Sequence, residues 1–289
     1  LQFLGRSRVD DATLVTVLEI VARNRPVDVF AELSHWLGAS YAPAVRAAAL
    51  EAVLADAELA RALQAVVGLV EPDQPLDVRY ALARSLGVRG RSLAQGDEAR
   101  GQILGLLSRL VTDADRSVRA EAAAALGASG DPRALPVLEQ LSRGETDAGV
   151  VQRIIGAFGN LGSAESVETI GRLWGTWSGD SSAGVIEEAS RRALESLVAP
   201  ADLEGQLAMT VRLRESGAPR LAAWAAQQIV LRADATATQE SRDLVARARG
   251  EWVEAVVLDA RFQEARELLV ELHDADAPFP SRIRRLELL

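Results

Sequence analysis

Apolar residues recur three and four places apart along most of the chain, and the recurrence is broken at short intervals by Gly, Pro or Asp. That spacing lays one apolar stripe along a helix, so it predicts a succession of short amphipathic helices joined by tight turns. The stretch DRSVRAEAAAALGASGDPRALPVLEQL, from Asp115 to Leu141, shows the unit most clearly: a helix rich in alanine, a glycine break and a second helix. Asp115 is placed to cap the first helix, Gly127 and Gly130 to allow positive φ after it, and Pro132 to open the next, where its missing N–H costs nothing. Pro75 and Asp77 take the opening role one unit earlier.

The unit recurs. With Val118, Leu126 and Gly127 as markers, Val150, Phe158 and Gly159 follow 32 positions later, while Gly162 falls on Gly130 and Leu173 on Leu141. Upstream, Val78, Leu86 and Gly87 hold the same frame, as do Val45 and Val53; downstream, Ile186 pairs with Leu194 and Leu221 with Ile229. First helices therefore start about 32 to 40 residues apart. A lone hairpin cannot bury its stripe, so each unit must cover its neighbour, and the alanines at 120 and 122–125 let helix axes approach closely. Leu126 is expected in the core, where complete burial of a leucine contributes roughly 1.5 to 3 kcal/mol.

This pattern resembles the HEAT repeat, in particular the PBS-lyase HEAT-like subclass. Val118, Arg119, Leu126, Gly127, Asp131, Pro132, Arg133 and Ala134 carry the match, with Val78, Arg79, Leu86 and Gly87 matching in part and Val45 and Arg46 more distantly. The resemblance implies an all-α, right-handed α-solenoid of stacked helical hairpins. The expected organisation is an N-terminal helical cap over 1–40, with helices starting near Asp11 and Pro26, and a HEAT-like array over 41–235. Beyond it, over 236–289, a TPR-like extension is read from Ala265, Leu268 and Pro278. The chain begins at Leu1 and stops within SRIRRLELL, and is expected to be a piece of a longer polypeptide.

Composition narrows the chemistry. Of 289 residues 48% are apolar and only 4% aromatic, which favours close-packed helices over sheets. The formal charge of -9 works against a phosphate backbone, so no nucleic acid is expected as partner. All 32 basic residues are Arg and no Cys is present, which removes Schiff-base lysines, thiolate nucleophiles and thiolate metal sites. No run of apolar residues is long enough to span a membrane, so no direct membrane insertion is expected.

Catalytic signatures do not appear. His35 and His273 stand far apart without companions at metal-ligand spacing, and no HExxH, GxSxG, Walker or dinucleotide fingerprint is present. Carboxylate pairs such as Glu187 with Glu188, or Glu121 with Glu139, read as helix surface. No catalytic residue, cofactor or metal is therefore expected, and the chain reads as a noncatalytic scaffold for another protein or for other domains of its own chain. The resemblance carries two alternatives: a phycobilin-lyase-like enzyme, for which no bilin-handling residue can be mapped, and a nucleic-acid-binding HEAT-like protein.

Two insertions mark candidate protein-binding surfaces, since solenoid insertions gather in loops. GVRGRSLAQGD lengthens the turn after Leu86 and places Arg89 and Arg91 among glycines; RLWGTWSGDSSAG carries Trp174 and Trp177. Exposed Trp and Arg are common interface anchors. By resemblance, second helices line the concave face, which adds Arg143, Glu168, Arg172, Arg212 and Arg214. Trp36, Trp224 and Trp252 sit at helical spacing and are expected in the core.

Overall fold

The computed structural model describes residues 9–24, 29–55, 59–94, 97–233 and 239–261, together with Leu268. Among these every regular element is a helix: α1 Asp11–Asn24, α2 Phe30–His35, α3 Pro43–Leu54, α4 Leu59–Val66, α5 Leu76–Arg91, α6 Glu98–Leu110, α7 Arg116–Ala128, α8 Leu135–Gly144, α9 Ala148–Leu161, α10 Ser166–Trp177, α11 Ala183–Val198, α12 Leu203–Glu215, α13 Pro219–Ala233 and α14 Gln239–Leu258. Contacts divide the chain into two compact units, Leu1–Leu161 and Gly162–Leu289. Pro26, Ala265, His273 and Pro278 lie outside the described residues.

The first unit is a stack of hairpins. Its first helices pack in series, α1 on α3, α3 on α5, α5 on α7 and α7 on α9. The repeated positions make this layer: Val45, Val78, Val118 and Val150 are buried, as are Val53, Leu86, Leu126 and Phe158. Glycine sets the closeness of approach. A Cβ on Gly127 would stand 2.4 Å from the Cα of Ala157, and one on Gly87 would stand 2.7 Å from the Cβ of Ala125. Gly127 therefore stays helical, and its hydrogen atom lets α7 lie against α9; the expected positive φ belongs to Gly130 alone, at 62°, and recurs at its repeat mate Gly162, at 69°.

The first insertion departs from the longer turn that its glycines predict. Instead of a longer turn, α5 itself runs on to Arg91, through Gly87 and Gly90. Both glycines are buried, Gly87 under α7 and Gly90 beside Ile103 of α6, so packing offsets the roughly 1 kcal/mol by which glycine disfavours a helix interior.

Arginines that follow the repeated valine bind each hairpin to the next. Arg46 donates to the Leu37 carbonyl at 2.9 Å and to Oε1 of Gln74 at 2.6 Å, just ahead of α5. Arg79 grips both oxygens of Asp113, at 2.7 and 3.0 Å, just ahead of α7. Arg119 grips both oxygens of Glu145, at 2.8 and 3.0 Å, just ahead of α9. A planar guanidinium matches a carboxylate in this two-bond geometry, and burial of the partners limits screening. In α9 the corresponding place is taken by buried Val151.

Aspartates start the helices. Asp115 accepts from the Ser117 N–H at 2.8 Å and Asp97 from the Ala99 N–H at 2.9 Å, and Asp131 accepts from Arg133 N–H ahead of a single 3₁₀ turn, Pro132–Ala134, that leads into α8. In the second unit Asp202 caps α12 in the same way. These side chains satisfy amide donors that the first helical turn leaves open.

In the second unit α10 packs on α11 and α12, α12 on α13, and α14 on both α12 and α13. Leu207, Ile229, Val230, Val245 and Ala248 form a core cluster, with Trp252 packed on its edge. Polar clips fasten it: Arg214 of α12 reaches Glu251 at 2.8 Å and Glu254 at 3.2 Å on α14, and Arg220 of α13 reaches Asp259 at 3.2 Å. Gly217, at φ 83°, closes α12.

Candidate functional site

The residues expected to bind a partner separate into two groups. Trp174 is buried at 6% exposure on the inner face of α10, so it is a core residue and not a surface anchor; the helical register from Ile170 and Leu173 turns it inward. Arg214 is likewise withdrawn, its side chain 13% exposed between Glu251 and Glu254, because α14 brings two carboxylates onto α12. Arg89 is half-buried on the last turn of α5, not in a glycine loop, while Arg91 two positions beyond it on the helix is exposed.

Exposed positions remain at Arg143 on α8 in the first unit, and at Glu168 and Arg172 on α10 and Arg212 on α12 in the second. Arg172 donates to the Thr169 hydroxyl at 3.3 Å, and Arg212 to the Ala164 carbonyl at 3.3 Å. Trp177 is half-buried at the end of α10, ahead of a turn in which Asp180 accepts from the Ser182 N–H at 2.8 Å. Trp36 is core as expected, whereas Trp224 and Trp252 are half-buried.

Titratable groups in the first unit are held in their charged forms by structural contacts. The Ser117 hydroxyl and backbone amide keep the Asp115 carboxyl below its usual range, and Arg133 does the same for Asp131. Arg116 lowers Asp147. Burial works to raise Glu145, but Arg119 and the Asp147 and Thr146 amides outweigh it and the net direction is down. Among these groups no carboxylic acid is kept protonated for acid–base work. His35 accepts or donates at Nε2 to the Tyr41 hydroxyl at 2.6 Å, and among the described residues no group of three or more His, Cys, Asp or Glu could hold a metal ion.

Two clefts of the first unit lie between its second helices. One, of about 510 Å³, is walled by Val111 and Thr112 at the end of α6 and by Val137, Gln140 and Leu141 of α8, with the Arg119–Glu145 pair lining it as well. The other, of about 630 Å³, opens where α6 and α8 begin and is lined by Asp97, Glu98, Arg100, Gly101, Asp131 and Arg133, among others. Arg100 is absent from the surfaces that the sequence marks. Its signal was a charge in an apolar register: it stands three, seven and ten places before Ile103, Leu107 and Leu110, all buried.

No described helix is long and apolar enough to cross a membrane. No curated protein sequence matches the chain. The family model of HEAT repeats matches residues 103–195, which begin within α6 and end within α11, so over that stretch the chain carries HEAT repeats.

Proposed function

We propose that the chain is a noncatalytic scaffold segment, presenting clefts and exposed polar positions of its helical hairpins to another polypeptide or to other domains of the same protein. The observation that carries this reading is the fate of the charged residues. Arg79, Arg119, Asp113, Asp115, Asp131 and Glu145 are spent on caps and clips within the stack. What faces outward is the space between second helices, a shape suited to side chains of a partner. HEAT repeats support it further, since stacked hairpins offer extended surface in proportion to their number.

Photo-crosslinking from positions 143, 172 and 212 of the intact chain tests this. Crosslinks to one polypeptide, competed away by excess unlabelled chain, are the expected result. Their absence at all three positions, or a visible absorbance change on incubation with a bilin, would replace the scaffold with another function.

A further inference from the structure

Arg100 is a buried cation of the first unit with few partners of its own. It is only 6% exposed, and its one hydrogen bond runs from Nη2 to the Ser129 carbonyl. Its Nε–H is buried with no acceptor. Among the described residues no carboxylate lies within ion-pair distance of it, whereas Arg79 and Arg119 each hold a carboxylate with two bonds. Asp131 is near enough to feel its charge, yet gives its oxygens to Arg133, at 3.0 Å from Nε and 2.6 Å from Nη2. A buried guanidinium without an anion is costly, and a carboxylate bound in good two-bond geometry offsets part of that cost.

The surroundings say which anion fits. The cleft of about 630 Å³ that Arg100 lines is open at its mouth, where Asp97, Glu98 and Arg133 are exposed. The first turns of α6 and the 3₁₀ turn before α8 bring positive helix ends to it, each already met by an aspartate cap. Two guanidinium groups therefore face three carboxylates around the cleft. A dianionic phosphate would be repelled by that rim, whereas one carboxylate, planar and singly charged, matches the fork of a guanidinium.

We propose that the cleft at the starts of α6 and α8 recognises a single carboxylate of a partner polypeptide, with Arg100 as its anchor and Asp97 and Glu98 holding an adjacent basic residue. This rests on the scaffold reading for the source of the carboxylate, but the pocket itself is tested without any partner. In the intact chain the Arg100 Nε–H resonance is identified by its disappearance in Arg100→Gln, or in Arg100→Lys where the glutamine variant fails to fold.

Sodium acetate should shift that resonance saturably, inorganic phosphate should bind several-fold more weakly, and Arg133→Gln should weaken acetate several-fold. The capped dipeptide N-acetyl-Glu-Arg-amide should bind more tightly than acetate. A resonance that does not saturate with acetate, or phosphate binding as tightly as acetate, overturns the pocket; a dipeptide no better than acetate overturns the role of Asp97 and Glu98. Crosslinks from the second helices with no acetate response would sink this inference and leave the scaffold intact, and the reverse result would do the opposite.

Discussion

Gly127 and Gly105 are both helical glycines, and they differ in what an added methyl group would meet. At Gly127 it would strike the backbone of Ala157, and at Gly105 it would find nothing within 4 Å. Gly127→Ala is expected to lower stability by about 1 to 3 kcal/mol through overpacking, and Gly105→Ala to raise it by up to about 1 kcal/mol through helix propensity. Urea unfolding of the two variants checks the opposite signs. Leu126→Asp places a carboxylate in the fully buried layer between α5, α7 and α9 and should unfold the first unit, whereas Arg91→Ala on the exposed end of α5 should leave the melting temperature nearly unchanged. Equal shifts in thermal melts would contradict the register of the repeat.

At the scale of elements, capping aspartates and a clipped glutamate tie helix starts to acid. Asp115, Asp131, Glu145 and Asp147 all have folded-state pKa values below their ordinary ones. A carboxylate depressed in this way contributes stability that is present above its unfolded pKa and is lost as pH falls through the folded one. Stability of the first unit should therefore be flat near neutrality and fall below about pH 4, and Asp115→Asn should make that fall shallower. Thermal melts across pH 2 to 7 (about the range where carboxylates titrate) would lose that fall if the caps were not held as anions.

Much of this was legible in the sequence. Period-3.6 stripes, the Val–Leu–Gly frame and the Asp–Pro openings are local signals, and they placed the hairpins, the cap at Asp115 and the turn at Gly130. What escaped depends on neighbours. Whether Gly87 and Gly90 break a helix or carry one is decided by Ala125 and Ile103 on other helices, so α5 runs longer than its composition advises. Trp174 and Arg214 read as surface because their partners, the core of the second unit and the carboxylates of α14, lie elsewhere in the chain.

On the scale of the whole chain, its five tryptophans are unevenly shared: Trp36 lies in the first unit, and Trp174, Trp177, Trp224 and Trp252 in the second. Fluorescence therefore reports mostly on the second unit and far-ultraviolet circular dichroism on both. Repeat arrays depart readily from two-state behaviour, so the two denaturation midpoints should differ, and Leu126→Asp should move the dichroism curve more than the fluorescence curve. Superimposable curves for parent and variant would show one cooperative block.

The arginine clips carry a consequence for how such a chain can change length. Each arginine finds its acceptor on the stretch leading into the next first helix, so the fastener travels with the segment it fastens. Excision of residues 78–117 would set Arg119 where Arg79 had been, beside Gln74 and still holding Glu145. As far as these clips go, copies of such a segment are interchangeable parts, and a gene could gain or shed one in frame with each remaining clip arginine still held, up to Val151, where the series of fasteners stops.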